Sequence, residues 1–337
     1  MKLKTTALMG AAALALMAGS ASAADLACLI TKNNTNPFFV KMKEGAEQAA
    51  AAAGLDFQAY AGEKDGDAAP QITAIENCVA AGAKGILITA SNDSVAPALK
   101  DARAAGILVI ALDTPIADPE AQDMTFATDN FEAGVLIGKW AAATMGAEAA
   151  NAKIAMLNIN KDNISVDVQR NTGFLTGFGI TVPDLTVMDS EDDLRVIGHE
   201  SSDANPEGGL RAMETLLAKD PDINVVYTIN EPAAEGAYQA LKNAGKEGQA
   251  IIVSVDGGCP GVASVKSGVI GATSQQYPLL MASKGIEAIA AFAKDGTKPA
   301  ASEGLTFFNT GVNLVTDKPA EGVPSIDSTK GTELCWG

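Results

Sequence analysis

The stretch Leu26-Ala27-Cys28-Leu29-Ile30-Thr31-Lys32-Asn33-Asn34-Thr35-Asn36-Pro37-Phe38-Phe39 decides the fold. Its first five residues form a short apolar run that predicts a buried strand, and residues 40–53 predict a helix that ends at Gly54. The residues between them therefore form a strand-to-helix turn. In open α/β folds such turns lie at the carboxyl edge of the sheet, where these folds bind ligands.

The polar and aromatic residues of this turn allow two interpretations. The amide of Asn36 offers a donor and an acceptor, and the flat faces of Phe38 and Phe39 could stack on the C–H face of a sugar. Alternatively, the asparagines only cap the following helix, and both phenylalanines belong to the core. The turn alone leaves both interpretations open.

Apolar strands alternate with helices from residue 26 to residue 256, which predicts an α/β fold with parallel, doubly wound sheets covered on both faces. Two segments share one plan of strand, helix and strand. The first ends at Asp113 and the second at Asp256. This repeat, in a chain long enough for two cores, predicts two lobes. Residues 126–130 are expected to form a link, and residues 269–273 a strand.

The first 23 residues have the features of a secretory signal peptide. Lys2 and Lys4 precede an apolar run at residues 7–18, and Ala21-Ser22-Ala23 is a small-residue cleavage site. We expect cleavage after Ala23 and a soluble protein in a bacterial periplasm, because no later apolar stretch is long enough to anchor the chain.

The charge balance argues against some classes of partner. The 337 residues include 24 basic and 41 acidic side chains, a formal net charge of −17, and loss of the signal peptide makes it about −19. Such an acidic protein is not expected to bind nucleic acid or an anionic membrane surface.

Four cysteines remain after cleavage, and an even number in an exported chain favours two disulfides. Of the three possible pairings we expect Cys28–Cys78, because the second helix should pack beside the first strand. We also expect Cys259–Cys335, which would tie the tail to the Cys259 loop. No Cys/His cluster indicates a metal, and His199, the one histidine, is expected to be a surface or core residue. Neither a metal nor a cofactor is predicted.

Three polar residues follow apolar strands: Asp113, Asn230 and Asp256. Two lobes that face each other would bring these strand ends into one cleft, where their oxygens could accept hydrogen bonds from the hydroxyls of a sugar. Each could instead be a helix cap or a turn residue. Arg170 could donate to ligand oxygens or lie in a surface salt bridge, and Gln276 could be a turn residue or a contact beside a hinge.

Taken in order, these motifs resemble the periplasmic sugar-binding proteins of the ribose/galactose type, which feed ABC importers. The resemblance covers nearly the whole mature chain and rests on Asn36-Pro37-Phe38-Phe39, Leu112-Asp113, Thr128-Asp129-Asn130, Arg170, Asn230 and Val255-Asp256-Gly257. It implies a type I periplasmic binding protein with two Rossmann-like lobes joined by a three-strand hinge. The implied lobes are residues 24–127 plus 277–306 and residues 128–276 plus 307–337, with crossings near Thr128, Gln276 and Phe307.

The resemblance also implies a monosaccharide in the cleft and delivery to the membrane permease of an ABC importer. We expect the protein to be a monomer. The implied ligand contacts are Asn36, Phe38, Phe39, Asp113, Arg170, Asn230, Asp256 and Gln276, with Asn130 as a further candidate.

Ribose binders of this family have arginine after the first strand-end aspartate, where this chain has Thr114. They also have aromatic residues where this chain has Val255 and either Ala204 or Asn205. Several signatures are instead similar to the fructose-importer branch: Asn230-Glu231-Pro232, Asp256-Gly257-Gly258-Cys259, Gln275-Gln276-Tyr277-Pro278 and Cys335-Trp336-Gly337. D-Fructose is the expected ligand. The alternatives are ribose, mannose, xylose or inositol, or a role as a sugar sensor for a chemoreceptor.

Two other function classes fit the sequence less well. No GxGxxG after a strand, Walker lysine loop, GxSxG elbow or HExxH motif supports an enzyme, and no catalytic residue is predicted. Sugar repressors share the fold, but they carry an N-terminal helix-turn-helix where this chain carries an export signal.

Overall fold

A computed structural model describes residues 24–337; the predicted signal peptide, residues 1–23, and its cleavage after Ala23 lie outside the described residues. The strands, in chain order, are β1 (Leu26–Thr31), β2 (Asp56–Ala61), β3 (Gly85–Ile88), β4 (Leu108–Leu112), β5 (Met124–Ala127), β6 (Ile154–Asn158), β7 (Val196–Ser201), β8 (Val225–Thr228), β9 (Ile251–Asp256), β10 (Ala272–Gln275), β11 (Phe308–Asn309) and β12 (Asn313–Val315). The α-helices are α1 (Pro37–Ala53), α2 (Ala69–Ala80), α3 (Ala96–Ala104), α4 (Asn130–Met145), α5 (Ser165–Phe178), α6 (Pro206–Lys219), α7 (Glu231–Asn243), α8 (Cys259–Ser267), α9 (Pro278–Asp295) and α10 (Ser328–Leu334).

The strands form two six-stranded sheets of matching topology, ordered β2-β1-β3-β4-β5-β11 and β7-β6-β8-β9-β10-β12. All neighbours are parallel except β12, which runs antiparallel to β10. The predicted repeat occupies equivalent places, as β3-α3-β4 in the first sheet and β8-α7-β9 in the second. The predicted α/β fold with two doubly wound, parallel-sheet lobes is confirmed.

Helices cover both faces of each sheet, because successive residues of a strand point to opposite sides. In β1, Ile30 packs towards α2 and α3, whereas Leu29 packs towards α1 and α9. In β6, Met156 packs towards α4 and α5, whereas Leu157 packs towards α6 and α7. Each sheet therefore lies between two apolar cores, and its strand ends are left free to build a site.

The chain passes between the two sheets three times. It leaves the first sheet after β5, returns after β10 and leaves again between β11 and β12, at residues 310–312. The third passage lies a few residues beyond the position predicted near Phe307, because residues 308–309 pair with β5 in the first sheet. We propose these three passages as the hinge, with the lobe boundaries of the predicted division shifted accordingly.

Two local predictions were wrong. Residues 126–130 are not a simple link, because residues 124–127 form β5 between β4 and β11, and α4 already begins at Asn130. Residues 269–273 do not coincide with a strand, because β10 begins only at Ala272. Pairing with distant strands decides both cases, and neither segment carries a strong apolar pattern of its own.

The two expected disulfides, Cys28–Cys78 and Cys259–Cys335, are both present. The first is buried among β1 and α2, and the second joins the start of α8 to the residue after α10. The chain segments they close are 50 and 76 residues long.

Reduction of both bonds is expected to lower the melting temperature, because each constrains the unfolded chain by about 4 kcal/mol in chain-entropy terms. The Cys259–Cys335 bond should be reduced first, since both of its residues are partly exposed. Calorimetry with and without reductant, together with thiol counting by mass spectrometry, tests this. Four free thiols in the untreated protein would contradict it.

Candidate functional site

The strand ends of the two sheets face each other across a cavity. It is lined by Lys32, Asn36, Phe38, Phe39, Asp65 and Asp113 of the first lobe, by Ile159, Val166, Arg170, Ala204, Ile229, Asn230 and Asp256 of the second, and by Gln276 at a crossing. Asp113 and Asp256 are each only 4% exposed. Both acids are therefore buried where the two lobes meet.

The two aspartates occupy equivalent places, since Asp113 follows β4 and Asp256 ends β9. Both have positive φ angles, 62° and 142°, in a region that residues other than glycine rarely adopt. Neither caps a helix. Such strain costs on the order of 1–3 kcal/mol and is typically retained at functional sites. The positions thus favour the site interpretation over the turn interpretation.

Arg170 links the two lobes at the centre of the cavity. Its Nη2 lies 3.5 Å from Oδ1 of Asp113, and its Nη1 lies 3.7 Å from Oδ1 of Asp256. Its Nε donates to Oδ1 of Asn130 at 2.8 Å, and its Nη1 donates to the carbonyl of Ile229 at 3.0 Å. The guanidinium is therefore held by the protein between two buried carboxylates, and it is not a surface residue.

The remaining polar candidates have distinct roles. Asn230 lines the cavity and also caps α7, because its Oδ1 accepts from the amide of Ala233 at 3.1 Å. Gln276 donates to Oδ1 of Asp256 at 2.8 Å, and its own Oε1 is buried without a partner. Asn130 does not line the cavity; it contacts the site through Nε of Arg170 and through the carbonyl of Asp113, which lies 3.5 Å from its Nδ2.

In the turn at residues 31–39, the same side chains act as cap or core residues and also line the cavity. Asn36 caps α1, accepting from the amide of Phe38 at 3.0 Å, and it also lines the cavity. Phe38 and Phe39 belong to the first lobe's core yet form part of the cavity wall. Trp336, from the C-terminal tail, packs edge-on to Phe38 and donates its indole N–H to the carbonyl of Gln276.

Sequence reasoning missed two charged residues of the cavity, Lys32 and Asp65. Lys32 directly follows β1 and is 2% exposed, and its Nζ lies 3.8 Å from Oδ1 of Asp65. The strand-end argument that selected Asp113 applies equally to Lys32. Asp65 lies in a polar loop whose return to the cavity has no signal in the sequence.

A comparison with known families matches residues 27–298 to the periplasmic binding protein domain. The chain belongs to the periplasmic binding protein family. This confirms the expectation from the sequence at the level of the periplasmic binding protein family and not at the level of the fructose branch. Periplasmic binding proteins bind solutes and are not enzymes. Within residues 24–337, the helices are too short or too polar to span a bilayer.

Several relatives of this periplasmic binding protein cover most of its length. Ribose import binding protein RbsB of Haemophilus influenzae is 32% identical over 285 residues, 84% of this chain and 91% of the relative. The D-allose-binding periplasmic protein of Escherichia coli is 27% identical, covering 83% and 88% of the two chains. A solute binding protein from Agrobacterium vitis, solved with bound D-fucose, matches with a TM-score of 0.76 at 24% identity, covering 92% of this chain and 100% of that one.

A further acid, the half-buried Glu231 at the start of α7, shapes the segment that follows Asp256. Its carboxylate accepts from the amides of Gly257 and Gly258 at 2.8 and 3.0 Å and from the hydroxyl of Thr273 at 2.7 Å. Burial raises the pKa of Glu231 and that of Asp256 above their usual range. Glu231 therefore positions the backbone beside Asp256.

Asp167 of α5 is fully buried, and its Oδ2 accepts from the amide of Ile159 at 2.7 Å, while its Oδ1 has no partner. Burial raises its pKa to about 7, from 3.8. Between these values the folded state holds a proton that the unfolded state has lost. The stabilisation that the protonated Asp167 gives to the folded state is therefore fully present below pH 3.8, and it is lost as the pH rises to about 7.

Asp167→Asn is expected to remove this pH dependence, because the amide stays neutral in both states. Relative to the wild type, the slope of the unfolding free energy should become less negative by up to about 1.4 kcal/mol per pH unit, the value for one proton. Denaturant unfolding between about pH 4 and pH 7 measures the slope. The exposed Asp101→Asn serves as control, and equal slopes in wild type and Asp167→Asn would contradict the expectation.

Proposed function

We propose that this protein captures a neutral monosaccharide, with D-fructose as the leading ligand, and delivers it to the permease of an ABC importer in the bacterial periplasm. The observation that carries the proposal is the cavity between the lobes, whose carboxylates come from both of them. A sugar held there would contact both halves only in the closed state. Binding would therefore shift the lobes towards closure by movement at the three crossings.

The chemistry of the cavity favours an uncharged polyol. The cations Lys32 and Arg170 already face the carboxylates of Asp65, Asp113 and Asp256, so neither is an unpaired cation available for an anionic ligand. Carboxylate and amide oxygens can accept from several hydroxyls at once. The aromatic side chains beside them suit the apolar face of a sugar ring.

Two positions argue against ribose as the ligand. Thr114 stands where ribose binders have arginine, and its hydroxyl donates to Oδ2 of Asp113 at 2.9 Å, so it restrains a carboxylate that an arginine would pair with. Val255 stands where those proteins have an aromatic residue, and its side chain lies in the second lobe's core. The similarity to the relatives named for ribose and D-allose supports the sugar class, while these differences support a change of sugar.

The sugar is identified by a thermal-shift screen of the mature protein against D-fructose, ribose, D-allose, mannose, xylose and inositol, followed by calorimetry. We expect one saturable site and the largest shift with D-fructose. A larger shift with another monosaccharide would correct the sugar but keep the class. No shift with any member of the panel, for a protein that unfolds cooperatively, would contradict the proposal. Unchanged sugar after prolonged incubation is expected for a binding protein.

Asn36→Ala and Phe39→Ala are each expected to weaken sugar binding by about 3- to 30-fold, because each removes one amide contact or one aromatic face. Asn36→Asp is the matched control for the helix cap, since aspartate caps α1 equally well. Calorimetry with the best sugar of the panel measures the effect. Full affinity in both alanine variants would remove this turn from the site.

A further inference from the structure

A second polar cluster lies in the second lobe, where the loop between α5 and β7 returns to the sheet. Nε2 of His199 lies 2.6 Å from Oε1 of Glu191 and 3.8 Å from Oδ1 of Asp189. One ligand atom of each residue lies within 4.8 Å of those of the other two. None of these residues lines the sugar cavity.

The buried carboxylate of Glu191 is incompletely satisfied. Its side chain is 2% exposed, and Oε2 is buried without a hydrogen-bond partner. Within residues 24–337, no lysine or arginine nitrogen lies within 4.0 Å of Glu191 or Asp189. Burying a carboxylate is costly unless a cation or several donors compensate it. The contact from His199 alone does not compensate the Glu191 carboxylate, and a bound cation would.

We infer that Asp189, Glu191 and His199 form a binding site for a divalent transition-metal ion of the zinc type. One imidazole nitrogen and two carboxylates form a ligand set that Zn²⁺ takes, whereas Ca²⁺ and Mg²⁺ prefer oxygen alone. A tetrahedral ion at its usual ligand distances holds its ligand atoms roughly 3.3 Å apart. The observed separations of 2.6 and 3.8 Å lie on either side of that value.

Two asparagines hold the ring of His199 in place. Its other ring nitrogen, Nδ1, lies 2.9 Å from Nδ2 of Asn158 and 3.4 Å from Nδ2 of Asn171, and Oδ1 of Asn158 accepts from Nδ2 of Asn171 at 2.9 Å. Because an amide nitrogen donates, Nδ1 accepts, and the ring proton lies on Nε2, which faces Glu191. A metal ion would take the place of this proton, so we expect its binding to release a proton.

The cluster is open to solvent on one side, and it lies where a long loop meets β7. Asp189 is 75% exposed and borders an open depression shared with Asp192, so an ion could enter and keep water as a fourth ligand. Lys219 borders the same depression, but its charge is paired with Glu200 at 2.8 Å. Residues 179–195 contain neither helix nor strand, and a bound ion would tie this long loop to β7.

Titration of the chelator-treated mature protein with ZnCl₂ by calorimetry tests the inference. We expect one equivalent to bind, a rise in melting temperature with added ZnCl₂, and visible absorption typical of tetrahedral coordination when CoCl₂ replaces it. His199→Gln and Glu191→Gln should each weaken Zn²⁺ binding at least about 10-fold. Asp192→Asn, an exposed acid of the same loop that is not a member of the cluster, should bind as the wild type does.

Asp189→Asn keeps the test decisive if a buried substitution prevents folding, since the exposed Asp189 can change without disturbing the packing. This variant should fold and bind Zn²⁺ more weakly. Absence of a one-equivalent event, or wild-type affinity in Asp189→Asn together with either buried variant that folds, would overturn the inference. His199 and Glu191 would then form only a hydrogen-bonded pair. Either result leaves the sugar-binding proposal untouched, because the sugar assay is independent.

Discussion

Asp256→Ala is expected to lower the affinity for the sugar at least about 100-fold, and Asp113→Ala is expected to act in the same direction. Each carboxylate can accept two hydrogen bonds from sugar hydroxyls, and bonds to a charged acceptor contribute about 1.5–3 kcal/mol each. The substitution also removes one of the two carboxylates beside Arg170. A guanidinium left with a single carboxylate in a cavity this well buried would further disfavour the closed state.

The corresponding asparagine variants separate charge from shape. They keep one acceptor oxygen in place of the carboxylate, so their affinities should lie between those of wild type and the alanine variants. Asp101→Ala, on the exposed surface of α3, is the control and should bind as wild type does. Calorimetry with the best ligand of the panel gives the dissociation constants. Wild-type affinity in a folded Asp256→Ala protein would place the ligand elsewhere.

Gly134→Ala is expected to destabilise the protein by about 3 kcal/mol and to weaken sugar binding at the same time. A Cβ atom at this position would lie 2.2 Å from the carbonyl oxygen of Arg170 and 2.7 Å from the amide nitrogen of Phe174. Both atoms belong to the backbone of α5 and cannot rotate aside, so α4 and α5 must separate. Because Arg170 is carried by α5, the separation would also displace its guanidinium from the two aspartates.

Helix propensity alone predicts the opposite stability change for Gly134→Ala, because alanine stabilises an interior helix position by about 1 kcal/mol relative to glycine. Ala143→Gly, at an exposed position in the last turn of the same helix, should cost at most about 1 kcal/mol and leave sugar binding unchanged. Denaturant unfolding and calorimetry measure both quantities. A stabilised Gly134→Ala protein with full affinity would contradict the close approach of the two helices.

Local pattern accounts for much of what could be predicted about the fold and the candidate site. The apolar run that ends at Ile30 and the strand ends at Asp113 and Asp256 follow from short-range periodicity, and parallel strands place such ends at one edge. The pairing Cys28–Cys78 follows from the same β-α order. In contrast, β5 was missed because its pairing with β4 and β11 decides it, and its own residues do not.

The sequence by itself determined the α/β class, the two-lobe repeat and the acids that follow the strands, because each rests on residues close in the chain or on a rule of parallel sheets. Only the tertiary structure decided that Arg170 lies between acids of opposite lobes, that Lys32 meets Asp65, and that Glu191 lies against His199. These contacts depend on how helices pack and how loops return across the sheets. Packing distances between remote segments are set by the whole core, and no local pattern encodes them.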